Sequence, residues 1–148
     1  MKKQIYGLNV RIQLIRDDEN VQAPKIKKPE DVYELVRHSK DSDREQFLTI
    51  CLDTRNNVLS IEITSIGTLT ANLVHPREVF KTAVLQNAAG IIIAHNHPSG
   101  DATPSEDDIK ITKNLFEASK IMDIQLLDHL VVGNGIYKSL KEMGKIGG

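Results

Sequence analysis

The sequence predicts an α+β domain, a mixed β-sheet sandwiched by helices. Three observations lead there. Residues 45–53 and 57–64 read as strands flanking Thr54-Arg55-Asn56-Asn57, an antiparallel hairpin foreign to a doubly wound parallel fold. The run Ile91-Ile92-Ile93 predicts a strand buried on both faces, hence central. Strands and helices are mixed along the chain, which at 148 residues fits one domain with a real core.

The elements follow in order. Residues 4–15 alternate in part, with Leu8, Val10, Ile12 and Leu14 against Asn9, Arg11 and Gln13, which predicts an N-terminal strand. Residues 20–29 form a linker with two prolines, so 1–28 is read as strand plus linker and 29–148 as the domain. Pro29-Glu30-Asp31 opens a helix to about Arg37, and residues 40–44 make a polar connection to the hairpin. Ser65 to Thr70 reads as irregular, with a short strand over 70–74. Pro76 starts a helix with Val79, Phe80, Ala83 and Val84 on one face, and Gly90 offers it a left-handed end. After the isoleucine strand and a turn, a helix runs over about 104–121. Its start has Thr103 as N-cap, Pro104 as first helical residue and Glu106 third, a capping box. Residues 125–132 form another inner strand. Gly133-Asn134-Gly135 turns into an edge strand near Ile136-Tyr137, and Ser139 caps a last short helix.

Bulk composition narrows the function. Nineteen Lys plus Arg face 20 Asp plus Glu, so no strong field for nucleic acid or membrane arises. The basic stretch Lys25-Ile26-Lys27-Lys28 reads as a solvated linker. Cys51 is the only cysteine, which excludes an intrachain disulfide and the cysteine-rich zinc frameworks. A reducing, cytoplasmic setting is the simplest expectation. No apolar run approaches the roughly 20 residues of a membrane helix.

The chemistry concentrates in HNHPSGDATPSEDD, residues 95–108. In extended backbone, residues i and i+2 point to one side, so His95 and His97 can converge while Asn96 faces away. Pro98-Ser99-Gly100-Asp101 has turn chemistry, with Gly100 free to take positive φ. The following helix carries Ile111, Leu115, Ala118 and Met122 on its apolar face, and counting back three puts Asp108 on that face. A buried carboxylate must be paired, hydrogen-bonded or metal-bound. Glu106 and Asp107 are the ordinary acids of a first helical turn. Ser105 lies one step further back along the stripe. Two nitrogens and one oxygen suit Zn²⁺ with a fourth position open for water, the mark of a catalytic site.

The spacing His95-Asn96-His97, Ser105, Asp108 resembles the JAMM motif of the JAB/MPN metalloprotease superfamily. The wider text, "HPREVFKTAVLQNAAGIIIAHNHPSG" and "LLDHLVVGNGIYKSL", looks like the RadC-like branch, from about residue 30 to 144. The resemblance implies a JAB/MPN fold, similar in outline to cytidine deaminases, whose zinc signature one cysteine cannot supply. It implies zinc held by His95, His97 and Asp108, with hydrolysis of a peptide or isopeptide amide. It implies a glutamate base on the first core strand, which "REQFLTICLD" places at Glu45, and an oxyanion donor at Ser105. Residue patterns alone do not select Glu45 over Glu30, Glu34, Glu62 or Glu78. Glu45 does share a strand face with Phe47, Thr49 and Cys51. His129 reads as a buried histidine paired with a neighbour, with ligand or ligand partner as the alternative. His38 and His75 read as ordinary, and Arg77 matches a family position without an assigned role.

The partner expected is a protein or peptide substrate. The second reading is a DNA-associated accessory protein in repair or recombination, without peptidase activity. The family context motivates it; the near-zero net charge counts against it. An HNH-nuclease reading is poor, because these letters are contiguous and lie in a JAMM frame.

Overall fold

In the computed structural model, which describes residues 10–18, 20–38, 43–67, 69–71 and 73–147, the chain runs α1 (Pro29–Val36), β1 (Gln46–Leu52), β2 (Val58–Ile66), α2 (Pro76–Leu85), β3 (Gly90–Asn96), α3 (Glu106–Met122), β4 (Gln125–Val132) and β5 (Tyr137–Ser139). The strands form one sheet in the order β2-β1-β3-β4-β5. β1 pairs antiparallel with β2 and β3, β3 runs parallel to β4, and β4 pairs antiparallel with β5. The mixed sheet and its hairpin are as the sequence predicts.

Alternation along β3 organises the layers, since every residue of this strand is buried. Ile91 and Ile93 pack with Phe47, Cys51, Val79, Phe80, Ile111 and Leu115, the core beneath α2 and α3. Ile92 and Ala94 pack with Val32, Val36, Leu48, Ile50 and Leu130, the core beneath α1. Each fully buried aliphatic side chain stabilises by about 1.5–3 kcal/mol, so three isoleucines hold both layers to one strand.

Several expectations are corrected. The predicted N-terminal strand does not form over 10–15, which are exposed and unladdered; residues 4–9 lie outside the described set. Partial alternation without a partner edge is not enough: the exposed edge belongs to β2, where Arg16 donates to the Leu59 carbonyl at 3.2 Å. The described part of 70–74 is a turn, with Leu73 and Val74 N–H donating to Thr70 O, not a strand. β2 continues to Ile66, further than its pattern implies. Ser139 caps a turn rather than a helix: its Oγ accepts the Glu142 N–H and donates to Asp128.

Gly90 is not the end of α2. Asn87 takes the left-handed φ of 52° there, a conformation asparagine tolerates. Gly90 opens β3 and makes room. A Cβ at Gly90 would lie 3.0 Å from Leu127 Cδ1 and 3.3 Å from the Gln125 carbonyl. Leu127 needs that space because it is a bulge: Ile91 pairs with Leu126, but Ile92 pairs with Asp128. One extra residue inverts the period-2 alternation of everything after it. His129 therefore faces α3, and Asp128 faces the α1 side.

Candidate metal centre

α3 starts two residues later than the sequence predicts. Ser105, not Thr103, is the N-cap, and Pro104 precedes it. Ser105 Oγ accepts the Asp108 N–H at 3.1 Å, and Asp108 Oδ2 accepts the Ser105 N–H at 2.8 Å. This reciprocal box prevails over Thr103/Glu106 because Asp101 takes both the N–H and the hydroxyl of Thr103. The box acid is thus Asp108, so the cap that starts the helix also orients the inward carboxylate. The buried stripe continues as Ile111, Thr112, Leu115 and Ser119; Ala118 is only half-buried, and Met122 is 42 % exposed.

β3 brings the histidines to this carboxylate. His95 follows Ile91 and Ile93 onto the α3 face, buried, its ring stacked on Phe47. The His97 N–H donates to Val132 O at 2.8 Å, which keeps the backbone extended past β3 and returns the second ring to the same face. The two Nε2 atoms are 3.1 Å apart. Asp108 Oδ1 lies 3.1 Å from His95 Nε2, and Oδ2 3.1 Å from His97 Nε2. Gly100 takes φ +88°, as expected, and the turn brings the Asp101 carbonyl to 2.8 Å from His97 Nδ1. A carbonyl only accepts, so Nδ1 carries a proton, and Nε2 presents a lone pair whenever the ring is neutral.

The electrostatics keep Asp108 charged. Burial alone would raise the Asp108 carboxyl, but hydrogen bonds with His95 and His97, with the Ser105 N–H, hold it well below the usual carboxylate range. The bond to Asp108 raises His97 against the opposing effect of burial, and the Asp101 carbonyl and Glu45 add to the rise. Geometry gives the fit test. Tetrahedral bonds of about 2.0–2.1 Å separate donor atoms by roughly 3.3–3.4 Å. The two Nε2 atoms are 3.1 Å apart and each lies 3.1 Å from a different Asp108 oxygen. One ligand atom from each residue lies within 4.8 Å of the others, so His95, His97 and Asp108 could hold a small divalent ion, and among the described residues they are the group of this kind.

Glu45 stands immediately before β1, half-buried, in a cleft with Asp43, Arg44, Gly67 and Pro98. Its Oε2 accepts the Leu69 N–H at 3.0 Å, and its carbonyl accepts the Gly67 N–H. Phe47 pairs with His95 across β1 and β3, so the antiparallel register points Glu45 toward His97. Asn96 sets this up. Its side chain accepts the Gln46 N–H at 2.7 Å and donates to the Arg44 carbonyl at 3.0 Å, holding both neighbours of Glu45. Asn96 thus faces away from the histidines, as expected, but its grip on the Glu45 segment is not readable from the string. Ser105 is exposed at the rim, and its hydroxyl proton has no acceptor among the described residues.

His129 is the larger surprise. It is fully buried, with Nε2 2.7 Å from His95 Nδ1 and Nδ1 2.6 Å from Thr112 Oγ1. Burial and then the neighbouring His95 push it far below the ordinary histidine range, so it is neutral. The expectation of a buried, paired histidine holds, and its partner is the ligand candidate itself. Thr112 is missed by sequence reasoning, although a threonine four residues after Asp108 on a buried stripe is a signal of the same kind.

Arg77 and His75 are exposed at the start of α2. No helix among the described residues is long and apolar enough to cross a membrane.

Comparison with known proteins identifies the family. Residues 26–145 match the model of the RadC-like JAB domain. A UPF0758 protein of Methanosarcina barkeri is 47 % identical over 127 residues, 84 % of this chain and 56 % of its own length. One from Methanococcoides burtonii is 44 % identical over 144 residues, 96 % of this chain and 61 % of its own. One from Desulforamulus reducens is 52 % identical over 122 residues, 82 % and 54 %. The chain thus spans little more than half the length of these relatives. A domain match over most of the chain, joined to relatives near 50 % identity, shows that this chain belongs to the RadC-like JAB family.

Proposed function

We propose that the chain is a zinc-dependent hydrolase of the JAMM type that cleaves a peptide or isopeptide amide. The single observation behind this is the cluster of His95, His97 and Asp108, two Nε2 atoms 3.1 Å apart, each 3.1 Å from its own Asp108 oxygen, beside a cleft that Glu45 lines. When bound there, zinc supplies a Lewis acid that polarises a carbonyl and acidifies water. Glu45 takes a proton from the attacking water and delivers it to the leaving amine. Its Oε2 is held by the Leu69 N–H, which leaves Oε1 for proton transfer. The Ser105 hydroxyl donates to the developing oxyanion, an interaction worth about 3 kcal/mol in other enzymes. The near-neutral charge gives the DNA-associated reading no comparable support.

Metal analysis of protein purified without added zinc tests the proposal. About one zinc per chain is expected, with hydrolysis in a peptide and isopeptide library that a chelator abolishes and zinc restores. A metal-free protein whose melting temperature ignores zinc would sink it. DNA binding at low salt without hydrolysis would favour the accessory reading instead.

Asn96→Ala probes the placement of the base. It leaves the Gln46 N–H without its partner, a loss of about 1–3 kcal/mol in stability. Zinc content should stay at the wild-type level while kcat drops roughly 10²-fold, as expected when a reacting group is misplaced by about 1 Å. Unchanged kcat would show that Asn96 serves only the fold.

A further inference from the structure

We infer that Thr112 and His129 form a positioning relay that dictates which nitrogen of His95 faces the metal. The inference deepens the metallohydrolase reading and rests on it for its purpose, though not for its geometry.

Proton counting gives the relay its direction. The Thr112 hydroxyl has one hydrogen and two close partners, the Asp108 carbonyl at 2.7 Å and His129 Nδ1 at 2.6 Å. A carbonyl cannot donate, so the hydroxyl hydrogen goes to Asp108. The second contact is then a bond only if His129 Nδ1 carries the proton. A neutral imidazole has one N–H, which leaves His129 Nε2 as an acceptor. The His95 Nδ1 atom 2.7 Å away must therefore donate, and in a neutral His95 ring the lone pair falls on Nε2, toward Asp108 and His97. Reversing every bond would aim the Thr112 oxygen and the Asp108 carbonyl at each other, two acceptors in a buried site.

The consequence is specific. His97 is fixed by the Asp101 carbonyl, a single backbone acceptor. Among the described residues His95 has no carbonyl in that position; its tautomer is set through His129 by a hydroxyl anchored on Asp108, the third ligand candidate. The chain runs from the backbone of one ligand to the ring of another through two buried side chains. The Leu127 bulge, seated against Gly90, is what turns His129 to this face. With the wrong tautomer, His95 would aim an N–H at the ion position. Thr112 and His129 touch neither substrate nor ion and act only through His95.

Imidazole ¹⁵N–¹H correlation spectra of metal-free protein at pH 8 read the tautomers directly. The relay requires Nδ1–H on both His95 and His129. Thr112→Val keeps the shape and removes the hydroxyl. It should populate the Nε2–H form of His95 and weaken zinc binding about 10–100-fold in a chelator competition. Thr112→Ser should restore both. Nε2–H rings in the wild type, or Thr112→Val with unaltered rings and wild-type zinc affinity, would overturn the relay. A wild type with Nδ1–H rings that binds no zinc would support the relay's order and defeat the hydrolase reading, so the two ideas fail separately. The wild-type spectrum decides the order even if Thr112→Val does not fold.

Discussion

Asp108→Asn should empty the metal centre while leaving the fold in place. Asparagine has nearly the same shape, and its side-chain oxygen can still accept the Ser105 N–H, so the capping box that starts α3 survives. What disappears is the negative charge that His95 and His97 face at 3.1 Å. Losing a ligand should cost more than the ~10–100-fold in affinity that losing an outer partner costs. Zinc should then no longer raise the melting temperature, and hydrolysis should fall to background. Retained zinc at wild-type affinity would show that Asp108 caps the helix and does no more.

The same variant has a pH signature in metal-free protein. His97 is raised above 6.5 by Asp108, so its share of stability is complete below pH 6.5 and is lost as pH rises through the raised value. Asp108 is depressed below 3.8, so its share is present above that pH and is lost as pH falls through the depressed value. The pair therefore stabilises the metal-free fold between about pH 4 and the raised His97 value. Urea unfolding across that range, in chelator, should show a plateau that Asp108→Asn flattens. Identical pH profiles would mean that the pair contributes nothing to stability.

Glu45→Gln should produce the second large effect and the opposite metal result. General-base catalysis contributes about 10²–10⁴ in rate, so kcat should fall by that amount with zinc content unchanged. Glutamine can still accept the Leu69 N–H, which preserves the local turn. If zinc leaves with the carboxylate, Glu45 is a ligand instead of a base. A variant of near wild-type activity would return the base to be sought elsewhere.

How much of the site is legible depends on how local its causes are. His95 and His97 share a side because strand geometry repeats every two residues, and three isoleucines identify the strand. Asp108 points inward because Ile111 and Leu115 define the helix face. The capping box could be read too, but two overlapping boxes, Thr103/Glu106 and Ser105/Asp108, fit the same string. The competition was decided by Asp101, whose carboxylate occupies Thr103. Over residues 10–15 the N-terminal alternation failed as a strand because a ladder needs a partner as well as a pattern.

Sequence alone therefore determined the α+β class, the central strand and the three converging donors. Each follows from periodicity within a few residues. Tertiary structure decided what surrounds them. Asn96 holds the Glu45 segment across 50 positions of chain, and His129 meets His95 across 34. A one-residue bulge at Leu127 reverses which side of β4 faces the site. Such contacts depend on register, and a register shift of one residue leaves no local trace in the string while it exchanges every side chain between the two faces of the sheet.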